Sequence, residues 1–180
     1  MKTLLPKLLK CRLVQAGGLL AIVVAVAASS AWSSAPEARI KLQGAWICQL
    51  DNGIRGLVTY APLDPSGQSA ALRVELVWPL EALQSMRIDA VTDEVAEEFV
   101  TGKNTSVITG IGYGLAGGRI VLIFVDNSTL TYDSPTRVNI EGTTKAYLAT
   151  ADADNDGYPD PGSEPVGTFP YKAVGNRVVR

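Results

Sequence analysis

Apolar and polar positions alternate along most of the chain, the signature of half-buried antiparallel strands. Leu72, Val74, Leu76 and Trp78 alternate with Arg73, Glu75 and Val77. Val138, Ile140, Thr144, Ala146 and Leu148 alternate with Arg137, Asn139, Glu141, Thr143, Lys145 and Tyr147. Gly142 falls in the inward set of this second segment and predicts a bend or bulge there. Gly44–Leu50 and Ile54–Ala61 flank Asp51-Asn52-Gly53, a strong hairpin signal. A second hairpin is expected where Phe99-Val100 and Ser106–Leu115 flank Thr101–Asn104. A further strand, Arg119–Val125, is followed by Asp126-Asn127-Ser128 and a short run Thr129–Tyr132, and Phe169–Val179 supplies a last strand.

Helix is scarce in this pattern. Leu80–Ser85 predicts a short turn after Pro79. Thr92–Phe99 fits a helix capped by Thr92 with Val95 and Phe99 on one face, and fits a strand equally well, since Val95, Glu97 and Phe99 also alternate. About eight to ten short strands joined by turns predict an all-β fold, an antiparallel up-and-down barrel, with a β-sandwich as the alternative. Gly110, Gly112 and Gly114 favour the barrel. They share one face of a strand, opposite Val107, Ile111, Tyr113 and Leu115, and a glycine stripe lets a sheet coil or lets a large group lie on bare backbone.

The N-terminal segment breaks the pattern. Lys2, Lys7, Lys10 and Arg12 precede the apolar run Ala16–Ala28 and the small residues Ser29-Ser30-Ala31, the layout of a secretory signal peptide. The expected organisation is a signal peptide over residues 1–31 and one domain over 32–180, exported to a periplasmic or extracellular space, with no membrane contact after cleavage. Without that basic head, the 16 Lys+Arg of the chain fall to 12 against 18 Asp+Glu, a net charge of −6. Nucleic acid is therefore not an expected partner, because its binders need a basic footprint. Cys48 is the one cysteine outside the signal segment, so no internal disulfide is expected, and its strand position with Trp46 and Leu50 predicts a core thiol.

One segment carries a specific chemistry. Asp152, Asp154, Asp156 and Asp160 surround Gly157 in the order D-A-D-N-D-G-Y-P-D. A calcium ion takes about six to eight oxygen ligands, and a twelve-residue loop of the EF-hand type supplies them from alternating positions around a glycine. Counting from Asp152, the ligands would be Asp152, Asp154, Asp156, the backbone carbonyl of Tyr158 and Asp160, with Gly157 at the sharp turn. The twelfth position is Ser163, and Glu164 stands one residue late as the candidate closing ligand. Over Asp152–Glu164 the chain resembles the aspartate-rich calcium loops of thrombospondin type 3 repeats and dockerins. The loop lies between two strands, because Pro159-Asp160-Pro161-Gly162 keeps its C-terminal side from being helical.

At Gly44-Ala45-Trp46 the chain resembles a lipocalin or wider calycin-type barrel, whose first strand carries G-x-W. That resemblance implies a Trp closing one barrel end beside a basic residue of the last strand, a part that Arg177 would play.

Much chemistry is absent. The chain has no histidine, which removes a Ser-His-Asp triad and histidine-supported zinc sites. Asp93, Glu94, Glu97 and Glu98 form an acidic run expected to be a solvated face. Ile120–Val125 is apolar at every position, so its second face must be covered, by the Leu80–Phe99 region or by a partner such as a second copy, or must face a ligand. The leading functional expectation is a non-enzymatic exported binding or interaction barrel with one structural calcium site. The alternatives are a carrier of a small apolar ligand in the barrel lumen and a cyclase- or isomerase-like enzyme in which Tyr60 or Tyr113 meets a buried carboxylate.

Overall fold

The structure, a computed structural model, describes residues 42–178. The expected signal peptide lies outside the described residues, as does Val179 of the expected last strand. The strands are β1 (Ala45–Leu50), β2 (Arg55–Pro62), β3 (Ser69–Val77), β4 (Ala90–Val91), β5 (Glu94–Val100), β6 (Thr105–Ala116), β7 (Arg119–Ser134), β8 (Arg137–Leu148) and β9 (Gly167–Arg177). Among the described residues one α-helix, α1 (Leu80–Ser85), follows Pro79.

Each long strand pairs antiparallel with the next in the chain, and β9 returns to β1, so eight strands close an up-and-down barrel and the sandwich alternative is excluded. The two-residue β4 adds only a short pairing to the end of β6. Closure removes every long edge, which an open sheet would have to protect.

The hairpin at Asp51–Gly53 forms as its sequence demands, with Gly53 at φ +89°. Three expectations change. Arg119–Val125 and Thr129–Tyr132 are one continuous strand, because Asp126 and Ser128 point inward and the alternation runs through them. Leu148 is not inward: it ends β8 and stands 51% exposed. Gly142 causes no bulge, since β8 keeps its register with both neighbours there.

One end of the barrel is solid. Leu42, Trp46, Tyr132 and Val138 are buried there, and Trp46 meets Tyr132 edge to face with ring centroids 5.8 Å apart. Trp46 stands directly opposite Arg177 across the β1–β9 pair. The other end carries α1, which is too short to be stable alone. It is held by packing: Leu83 and Met86, with Ile88 beyond them, lie against Leu122, Phe124 and Ala146 of the inner wall. The Leu80–Phe99 region thus supplies the barrel mouth and most of strand β5, and does not cover the outside of β7. The outward Ile123 is buried nonetheless. The connection after β8 packs on β7 and reaches β6, where the Tyr113 hydroxyl donates to the Gly157 carbonyl at 3.2 Å. The acidic loop itself therefore crosses the outer face of β7.

Candidate functional site in the barrel lumen

Several positions of the inner wall carry small residues. Ala70, Ala96, Ala146 and Ala173 are buried on it, together with Gly110, Gly112, Gly114 and Gly175. An eight-stranded barrel encloses just enough room for its own side chains or one small ligand. Here the inward side chains leave part of the lumen open. A cavity of about 300 Å³ occupies the lumen, at the small end of the range of ligand pockets. Val74, Leu76, Ile108, Leu130 and Ile140 supply apolar wall, and the exposed Asn52, Ser85 and Phe169 mark the mouth beside α1.

Three carboxylates stand inside this wall, and the acidic run predicted as a solvated face provides two of them. Glu94, Ala96 and Glu98 face inward on β5, while Asp93, Val95, Glu97 and Phe99 face out. Val95 and Phe99 are 63% and 41% exposed, so the apolar alternation in this segment marks the outer face.

Glu98 is completely buried and fully bonded. Tyr60 and Tyr132 donate their hydroxyls to it at 2.8 and 2.7 Å, and Ser106 donates a third. Burial raises the Glu98 carboxyl above its usual range, and the three hydroxyl bonds pull the other way. The Tyr60 phenol is pushed well up by burial and then by the charge of Glu98. Glu98 itself does not line the cavity, but Tyr60 does, and this cluster ties β5 to β2, β6 and β7.

Asp126 and Glu94 form the second group, and both line the cavity. Asp126 accepts from Ser128 at 2.5 Å, from Tyr171 at 3.0 Å and from Thr144 at 3.0 Å. Glu94 has no hydrogen-bond partner among the described residues. It is half-buried and lines the cavity. Desolvation first, and the neighbouring Asp126 second, push the Glu94 carboxyl up to about 8. Asp126 is also raised by burial, but its three hydroxyl donors favour its charged form. The proton of the pair therefore rests on Glu94.

Glycines make room for this arrangement. A Cβ on Gly110, which stands opposite Asp126 in register, would fall on the Glu94 carboxylate. A Cβ on Gly142 would lie 2.6 Å from the Tyr171 hydroxyl and 2.7 Å from Ser128 Oγ. The glycine stripe of β6 thus serves the second of its two expected uses, a large group laid on bare backbone. Cys48 also lines the cavity as a core thiol, pushed up to about 11 by burial and then by Glu98. Trp78, stacked on Phe124 at 6.0 Å, completes the wall near the mouth, its indole nitrogen buried without an acceptor among the described residues.

The acidic loop is a separate place on the outer face. The structure brings one carboxylate oxygen each of Asp152, Asp154 and Asp156 within 4.8 Å of one another. Backbone N–H groups organise them: Asp156 donates to Asp152 Oδ1 at 3.0 Å and to Asp154 Oδ1 at 3.2 Å, and Gly157 donates to Asp152 Oδ2 at 3.0 Å. Gly157 has φ +93°, and a Cβ there would also lie 2.8 Å from the Tyr113 hydroxyl, so both the turn and the docking contact require glycine. Asp160 closes the loop differently, accepting from Ala153 N–H at 3.0 Å. Glu164 is exposed and stands outside the three-aspartate group, and the Tyr158 side chain is 45% exposed.

Comparison with models of protein families gives no match, and comparison with curated proteins gives none. Among solved structures, the chain is similar to EF1p2_mFAP2b bound to DFHBI, at 15% identity over 76% of this chain and 94% of that one, with a TM-score of 0.43. It is also similar to a redesigned β-barrel, at 14% identity over 79% and 99%, with a TM-score of 0.45. Likeness at that level carries no argument about this chain, so its chemistry rests on its own geometry.

Proposed function

We propose that this protein is an exported, lipocalin-like barrel that holds one small, largely apolar ligand in its lumen. The observation that carries this reading is the cavity of about 300 Å³, walled mainly by aliphatic and aromatic side chains and bordered by exposed residues at one end only. The neutral probe N-phenyl-1-naphthylamine should bind with one-to-one stoichiometry and a rise in fluorescence. Ile108→Trp, which fills the lumen from β6, should abolish that signal while the barrel still melts cooperatively. Probe binding that survives Ile108→Trp unchanged would place the site elsewhere and end this reading.

The same proposal includes a structural calcium ion in the acidic loop. Asp152, Asp154 and Asp156 would hold it, with the Tyr158 carbonyl, Asp160 and Glu164 as the further oxygens available. The ion would neutralise carboxylates that otherwise repel one another. By clamping the loop it would also hold the segment lying over Ile123. Calorimetry with calcium and with EDTA tests this directly. A ligand at a hundredfold excess over its Kd stabilises the fold by about 2.7 kcal/mol, so the melting temperature should rise by several degrees, and Asp154→Asn with Asp156→Asn should remove the rise. Equal melting temperatures in calcium and EDTA would reject the site.

A second reading, a proton-transfer enzyme of the isomerase type, draws on one observation. A cavity-facing carboxyl held at about 8 can give or take a proton near neutral pH. In that reading Glu94 is the acid–base group. Tyr60, which lines the cavity, bonds the buried Glu98 at 2.8 Å, and Tyr113 is bonded to the loop outside the barrel.

A further inference from the structure

We propose that the lumen is built for a ligand that carries one protonated amine on an apolar body, its ammonium group set against Glu94 and Asp126. This rests on the lumen-binding reading and narrows it to a ligand class.

The argument starts from what the cavity lacks. Two carboxylates line it, and no lysine or arginine does. Histidine is absent from the chain. The hydroxyls near the pair are already committed, since Ser128, Thr144 and Tyr171 all serve Asp126. Of the two carboxylates only Glu94 has no partner among the described residues, and it lines the cavity, as does the Trp78 indole, whose N–H likewise lacks an acceptor. A half-buried carboxyl without a partner costs free energy that a bound donor recovers. The donor that recovers most is a cation, because charge-assisted bonds are about twice as strong as neutral ones.

The rest of the wall fits the rest of such a ligand. Leu76, Ile108 and Leu130 take an alkyl or aromatic body, and the stacked Trp78 and Phe124 offer ring faces of the kind that attract ammonium groups. A carboxylate ligand would meet two acids of its own sign. A neutral ligand would leave the Glu94–Asp126 charge uncompensated.

Binding then exchanges one positive charge for another. In the empty lumen Glu94 holds a proton. When an alkylammonium enters, that proton leaves to solvent, and the carboxylate formed accepts a hydrogen bond from the N–H of the ligand. No covalent bond to carbon or nitrogen changes. The groups facing Glu94 are Asp126 on β7, Tyr171 on β9, and glycines Gly110 and Gly112 on β6; its register partner on β3 is Val74. Tyr171 is pushed far above neutral pH by burial and by Asp126, so it stays a neutral donor. Affinity for an amine should therefore rise between pH 6 and pH 8, while an alkylamine itself stays protonated.

The test is titration calorimetry with octylamine, 1-octanol and octanoate, each also scored by displacement of N-phenyl-1-naphthylamine. At pH 8 octylamine should bind about ten- to a hundredfold more tightly than octanol, and octanoate should bind most weakly. Octylamine should weaken toward pH 6, and Glu94→Gln should bring it down to the level of octanol. If octanol binds as tightly as octylamine and both displace the probe, the lumen-binding reading stands and the amine inference is wrong. An unchanged preference in Glu94→Gln overturns it as well. If none of the three ligands binds and the probe does not either, the lumen-binding reading itself fails.

Discussion

The ligand-free protein should be most stable near pH 5 and should lose stability steadily as the pH rises toward 9. The sign follows from the proton count. In the unfolded chain the Glu94 carboxyl titrates near its ordinary 4.5, whereas in the folded barrel it is pushed up to about 8 by burial and by Asp126. Between those values the folded state holds a proton that the unfolded state has released, so raising the pH favours unfolding. At about 1.4 kcal/mol per pH unit, the single group accounts for a loss on the order of 4 kcal/mol across the window. Asp126 and Glu98, both raised by burial, act in the same direction. On the acid side the trend reverses, because Asp64, held well below the usual range by Ser66 and Ser69, loses its bonds once protonated. Urea melts at pH 5, 7 and 9 measure the slope. Glu94→Gln should flatten most of it and raise stability at pH 9 above that of the parent. A parent protein more stable at pH 9 than at pH 5 would contradict the arrangement of the lumen.

Glu98→Ala should cost about 3–5 kcal/mol of unfolding free energy, the size found when one member of a buried charged cluster is removed. The three hydroxyls of Tyr60, Ser106 and Tyr132 would lose their common acceptor, those of Ser106 and Tyr132 at buried positions. Each unsatisfied buried group costs about 1–3 kcal/mol, and the lost volume adds a cavity term. Glu98→Gln keeps an acceptor oxygen and most of the volume, so it should cost well under half as much. Denaturant unfolding of the two variants at pH 7 separates the cases. A loss under about 1 kcal/mol for Glu98→Ala would mean that the cluster does not hold the four strands together, against the usual cost of orphaned buried hydroxyls.

The two effects come from carboxylates that the sequence hid. Asp93, Glu94, Glu97 and Glu98 look like one charged surface when read as a run. On a strand they split two and two, and Val95 and Phe99 argued for the wrong face. No local signal overrides that, because the side chosen depends on which strands pair with β5 and on what the opposite wall can accept. The glycines facing β5 and β9 were the only trace. Gly110 and Gly142 were visible as special positions, but that they admit Glu94 and Tyr171 follows only from register across strands distant in sequence.

The sequence by itself determined most of the strands, though not β5 or the continuity of β7, because period-two alternation and turn residues such as Asp51-Asn52-Gly53 act over a few residues. It determined a short turn after Pro79, which the structure shows as α1, and the spacing of the aspartates around Gly157 for the same reason. Only the tertiary structure decided that β9 closes on β1, that α1 plugs the mouth, and that the acidic loop lies over Ile123. Those contacts join residues far apart in the chain, and their free energy comes from burial and register, which no local window contains. The hollow lumen belongs to this second class. It is the space left between inward side chains of strands distant in sequence, and the carboxyl facing it was placed there by pairing alone.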